Sequence, residues 1–200
     1  MRVRVFVDFW NLQLAWNDWH RAQGTKGVVK IPWKNRLPEV LVRHVDAGAG
    51  YMGTHVYASV DPTREADKRL RGFLHVMDGF PGYKLLVKDR KPRSALRCPN
   101  ENCGKRITHC PHCNEEIRGT VGKGIDTAIV VDLIQGAADE TYDRAILVSG
   151  DADFVPAVEF IQRGGAQIIH VHFRNQANEL MNACWDHRFL DDLMPELLAP

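Results

Sequence analysis

Residues 145–158 read AILVSGDADFVPAV. Ala145 to Val148 are apolar at every position, which suits a short strand buried on both faces, and Ser149, Gly150 and Asp151 stop the run. Pro156 then stands where the first turn of a helix tolerates a residue without an N–H. An apolar strand that passes through an acidic turn directly into a helix is the unit of a parallel sheet covered on both faces. The same rhythm extends in both directions. Upstream, strands are expected at Val3–Val7, Tyr51–Val60 and Tyr83–Val87, and helices at Trp10–Ala22, Leu37–Ala47, Thr63–Met77 and Ile125–Ala137, with residues 24–36 as a loop. Downstream, a strand at Arg144–Val148 leads to a helix at Phe154–Arg163, a fifth strand at Ala166–Phe173 and a last helix at Gln176–Cys184. The pattern predicts an α/β protein of three layers, α/β/α, with a mainly parallel five-stranded sheet.

The acidic residues fall at the ends of these elements. Asp8 closes VFVDFWN (residues 5–11), Asp126 opens the helix in GKGIDTAIVVDLI (residues 122–134), and Asp151 and Asp153 follow the strand in the stretch quoted above. Strand C-termini in an open parallel sheet form the crevice where ligands bind. Carboxylates gathered there repel one another unless a cation lies between them, so the arrangement points to Mg²⁺ or Mn²⁺ held by oxygen ligands. A single Asp at such a place is equally well read as a helix cap. A turn that spends a glycine and two acids exceeds what a cap needs. Asp132 lies six residues beyond Asp126 and so turns away from that face, which makes it a supporting residue.

Two hundred residues with 44% hydrophobic content are expected to form one domain, residues 1–200. No apolar run is long enough for a membrane span, and MRVRVFVDFWN enters a strand pattern at once, so a cytoplasmic protein with reduced cysteines is expected. The net charge of +1 announces no nucleic-acid binder. Its distribution does more, because Lys84 to Arg106 holds eight basic residues against two acids, Arg90, Lys91 and Arg93 among them. That stretch is a candidate for phosphate contacts, and a solvated charge run is the competing reading. Lys123, just ahead of Asp126, places an ammonium where a phosphate would lie. Of the tryptophans, Trp16 and Trp19 sit at helical spacing and read as core. Trp33, in the loop KIPWKNR (residues 30–36), is the one expected to stack on a base.

Cys98, Cys103, Cys110 and Cys113 fall within CPNENCGKRITHCPHC (residues 98–113). Four thiolates close a tetrahedral structural zinc site, and Pro99, Gly104 and Pro111 permit tight knuckles, so a small zinc-ribbon-like insertion over residues 90–120 is expected. His109 or His112 remains open as a substitute for one cysteine. Cys184 reads as a small core residue.

Taken with their order and spacing, the three acidic strings resemble the motifs of the NYN domain, a branch of the PIN-like nuclease superfamily. The resemblance covers about residues 1–185, and the Cys-rich loop is an insertion less typical of the family. It implies a Rossmann-like sheet, a divalent metal and cleavage of RNA, single-stranded or structured. Carried onto this sequence, it makes Asp8, Asn11, Asp126, Asp151 and Asp153 the catalytic set, with the four aspartates as metal ligands. The implied reaction is metal-assisted hydrolysis of a phosphodiester. Two other readings stay open at this point: a PIN-like module that binds RNA or a protein without cutting, and a phosphatase of the haloacid-dehalogenase type. The latter uses D-x-D after the first strand, where this chain has Asp8-Phe9-Trp10. Oligomeric state is not legible.

Overall fold

Strand β1 (Arg2–Asp8) alternates its core residues: Val3, Val5 and Val7 pack on one side of the sheet and Phe6 on the other. A period of two with both faces apolar is what a central parallel strand requires. In a computed structural model that describes residues 1–27, 29–92, 96–98, 100–114, 120–175 and 178–199, the chain continues with α1 (Phe9–Ala22), α2 (Arg36–Val45), β2 (Gly50–Val60), α3 (Glu65–Asp78) and β3 (Tyr83–Asp89). Four two-residue strands follow, β4 (Lys91–Pro92), β5 (Leu96–Arg97), β6 (Arg106–Ile107) and β7 (Thr120–Val121). The second half holds α4 (Ile125–Ala138), β8 (Arg144–Val148), a 3₁₀ turn (Ala152–Phe154), α5 (Val155–Arg163), β9 (Gln167–His172), α6 (Asn178–Ala183), β10 (Asp186–Phe189) and α7 (Leu190–Leu197).

The main sheet has the order β10-β9-β8-β1-β2-β3, and every pairing in it is parallel. From β1 the chain winds outward to β2 and β3, and from β8 it winds the other way to β9 and β10. The reversal of direction therefore falls between β1 and β8, at the strands that end in Asp8 and lead to Asp151. One face is covered by α1, α2, α3 and α7, which contribute Trp16, Leu41, Leu74 and Leu193 to the first core. The other is covered by α4, α5 and α6, whose Ile129, Leu133, Val158 and Leu180 meet Phe6 and Tyr57.

The sheet has six strands where the sequence pattern suggested five. The additional strand, β10, reads Asp-His-Arg-Phe and is only half-buried along its length. An edge strand needs a partner on one side only, so it carries no apolar run for a pattern to detect. The expected last helix over 176–184 is shorter, with α6 at Asn178–Ala183 and residues 176–177 outside the described residues.

Between β3 and α4 the chain leaves the sheet. β4 pairs with β7 and β5 with β6, both antiparallel, so two short ribbons close the excursion at its base and within it. Among the described residues, no helix is long and apolar enough to cross a membrane.

Candidate active site

Asp8 ends β1 on the α4 side of the sheet and caps α1, its Oδ1 accepting from the Asn11 N–H at 3.2 Å. Its side chain is only 8% exposed. Burial pushes the Asp8 carboxyl up to about 6; the Asn11 N–H opposes that shift, and the nearby Asp126 and Asp151 add to it. Asp126, on the first turn of α4, is also raised, by burial and then by Asp151 and Asp153. Asp8 thus feels the charges of Asp126 and Asp151, and Asp126 those of Asp151 and Asp153, across three separate segments of chain. Asp8 is buried, Asp151 is half-buried, and Asp126 and Asp153 are exposed.

Backbone architecture holds the acidic turn in place. Asn11 Oδ1 accepts from the Gly150 N–H at 2.7 Å, tying the start of α1 to the turn after β8 across 139 residues of chain. Ser149 Oγ accepts from the Asp151 N–H at 3.2 Å, and Asp151 Oδ1 accepts from the Asp153 N–H at 3.0 Å. Beneath the turn, His170 donates from Nε2 to the Ser149 carbonyl at 2.5 Å. His170 and His172 alternate along β9 and so share a face, where both rings are buried and stacked, with centroids 4.0 Å apart and planes 7° apart. Burial pushes His170 down to about 4 and lowers His172, so both are neutral packing elements under the active turn.

Asp132 is where its helical phase put it, off the pocket. It accepts from the Tyr57 hydroxyl at 2.7 Å and so pins α4 to β2.

The basic residues divide. Lys123 and Lys91 are exposed, Lys123 two residues ahead of α4. Arg90 lies over the Trp10 ring, 4.8 Å from its centroid, and donates from Nε to Ser59 Oγ at 3.1 Å. Arg93 lies outside the described residues. Trp33 is corrected by the structure: at 4% exposure it is a core residue, its ring stacked on Phe9 with centroids 5.7 Å apart, and the Tyr83 hydroxyl donates to its backbone carbonyl. An apolar ring between charged neighbours in a loop is as well suited to plug a core as to meet a base, and only packing distinguishes the two.

Cys98, Cys103, Cys110 and Cys113 are free thiols, as is Cys184, whose thiol burial pushes up to about 12. The Cys98 N–H donates to Lys105 O and the Cys103 N–H to Asn100 O, folding the first pair around a turn. In the second pair, hydrogen bonds from the backbone N–H groups of Cys113 and His112 lower the Cys110 thiol, which is the environment a metal-bound thiolate needs. Among the described residues, no three His, Cys, Asp or Glu side chains are drawn close enough to hold one ion as they stand.

Carboxylates gathered at the direction change of a parallel sheet, one of them buried, make this an α/β protein with an acidic sheet edge where ligands of such folds bind. The NYN domain model matches residues 2–191, nearly the whole chain, and the protein belongs to that family of PIN-like nucleases. Among solved structures, it is similar to the crystal structure of a protein of unknown function from Vibrio parahaemolyticus. That likeness has a TM-score of 0.55 at 19% identity, over 96% of this chain and 93% of the other, and it bears on the fold alone. A search of the curated proteins finds no match.

Proposed function

We propose that the protein is a divalent-metal-dependent endoribonuclease whose centre is Asp8, Asp126, Asp151 and Asp153. The observation that carries this reading is the mutual influence of those carboxylates at the end of β1, the turn after β8 and the start of α4. All the donors are oxygens, which suits a hard cation such as Mg²⁺ or Mn²⁺, ions bound through one or two carboxylates with waters retained. Asp8, Asp126 and Asp151 would hold the ion, and Asp153 completes the negative pocket. When bound, such an ion polarises a phosphoryl oxygen and lowers the pKa of a water that attacks phosphorus. Asn11 acts as a positioning residue, because its side-chain oxygen accepts from the Gly150 N–H of the acidic turn. Arg90, Lys91 and Lys123 supply positive charge for the strand to be cut.

The test is incubation with single-stranded RNA and with DNA of the same sequence, in Mg²⁺, in Mn²⁺ and in EDTA. Internal cuts in RNA that disappear with EDTA are expected. Binding without products in either metal would replace the enzyme with a binding module.

For the insertion we propose a structural zinc on Cys98, Cys103, Cys110 and Cys113. The thiolate-favouring turn at Cys110 supports it, and closing the site brings the first pair of cysteines onto the second. Elemental analysis of the purified protein is expected to find about one zinc per chain, in line with a closed four-thiolate site. Cys110→Ser is expected to lose the metal, and a zinc content unchanged by that substitution counts against the assignment.

A further inference from the structure

Side-chain parity places a second charged feature on the same side of the sheet as the acidic pocket. Asp8 is in register with Tyr57, and Tyr57 with Leu86; one row further along the strands, Ser59 is in register with Lys88. Tyr57 and Leu86 pack in the α4-side core, so Ser59 and Lys88, two residues on, face that side as well. With strands about 4.8 Å apart and a rise of about 3.3 Å per residue, Lys88 stands on the order of 12 Å from Asp8 along the crevice edge.

Lys88 is half-buried, and its Nζ donates to the Gly124 carbonyl at 2.8 Å. That position, beside the N-terminus of α4, is unfavourable for a cation, because the helix dipole there prefers an anion. One carbonyl also engages only one of the three ammonium donors. Gly124 adopts φ +77, and a Cβ on it would lie 3.1 Å from the Lys88 Nζ, so the glycine keeps this space open. Asp89, between the two cations, is drawn to Arg71, and among the described residues neither Lys88 nor Arg90 pairs with a carboxylate.

Arg90 is held more firmly still. Its N–H donates to Val60 O at 2.7 Å, its Nε to Ser59 Oγ, and its guanidinium is stacked on Trp10. Trp10 Nε1 donates to the Ser59 carbonyl at 2.6 Å, so one buried serine anchors both layers of the stack. Gly122 packs so closely that a Cβ there would lie 2.7 Å from Ser59 Oγ. Among the described residues, both terminal amino groups of Arg90 are left for a planar, two-pronged contact, the geometry with which arginine grips phosphate.

We propose that Lys88 and Arg90 form a phosphate subsite that holds the backbone of single-stranded nucleic acid a few nucleotides from the acidic pocket, with Ser59 and Trp10 orienting the arginine. The strand then crosses the C-terminal edge of the sheet from β8 toward β3. The subsite rests on the proposed nuclease reading for the kind of strand it takes, and its own test reads binding rather than cleavage.

The experiment is fluorescence anisotropy of a labelled single-stranded oligoribonucleotide in EDTA, titrated at several NaCl concentrations, with the wild type, Lys88→Gln, Arg90→Ala and the double variant. Glutamine retains a donor for the Gly124 carbonyl and removes the charge. Each single variant is expected to weaken binding roughly three- to tenfold at low salt and to make the slope of log K against log salt shallower by about 0.7, with the double variant losing about twice that. Affinity and slope equal to wild type in Lys88→Gln and Arg90→Ala overturn the subsite and leave Lys88 as a tether for the Gly124 turn. A wild type that does not bind the oligonucleotide overturns it as well. The same oligonucleotide in Mg²⁺ separates the two readings: salt-dependent binding lost in the variants but no cleavage by the wild type retains the subsite and removes the nuclease.

Discussion

Asp8→Asn is expected to lower the proposed RNA cleavage by roughly 10³-fold or more and at the same time to make the metal-free protein more stable above pH 6. The loss follows because Asp8 is the buried member of the proposed ligand set and asparagine is a poor ligand for a hard cation. The gain follows from linkage. The folded-state value of about 6 lies above the ordinary aspartate value near 3.9, so between those limits the folded protein binds more protons than the unfolded chain. Stability from this group therefore falls as pH rises through that window and stays reduced above it. Asparagine removes the titration and still caps α1. The variant is expected to match the wild type near pH 4 and to exceed it by on the order of 2–3 kcal/mol at pH 8. The buried histidines contribute equally to both proteins and drop out of the difference. Urea denaturation in EDTA at several pH values checks this, with Mg²⁺ addition as the complement: the wild type is stabilised by mass action and the variant far less. A variant less stable than wild type at pH 8 would show that Asp8 is held by favourable partners rather than by enclosure.

Asn11→Ala acts through geometry. The Asn11 side-chain oxygen is the acceptor for the Gly150 N–H, and that bond sets the turn carrying Asp151 against the helix that follows Asp8. Removing the acceptor costs about 1 kcal/mol of stability at this partly solvated site. It also frees Asp151 to shift relative to Asp8, and displacements of an ångström are enough to lower rates by roughly 100-fold. The expected result is a fall in kcat of roughly 10- to 100-fold with KM and the salt dependence of RNA binding little changed. Metal titration should show half-maximal activity only at higher Mg²⁺. A variant that melts earlier but turns over normally would reduce Asn11 to a structural tie.

Strand and helix order, and the placement of the acids at element ends, are properties of local pattern. The run Ala145–Val148 with its acidic turn, the alternation in β1 and the cap at Asp8 are each decided within about a dozen residues, where periodicity and turn chemistry act. That range explains why Arg144–Val148 was legible to the residue and why the polar edge strand Asp186–Phe189 was not. What no local pattern contains is which faces meet. Trp33 became core because Phe9 covers its ring. Lys88, one of eight cations in a stretch already read as a candidate for phosphate contacts, was singled out only once β3 was registered against β2 and its ammonium met the start of α4. His170, buried and neutral, supports the Ser149 carbonyl from the next strand. The sequence by itself determined the α/β class and the identity of the acids. The tertiary structure decided which acids come within range of one another's charge and which cations stand beside them, the first through a contact 139 positions apart in the chain and the second through contacts 31 and 36 positions apart.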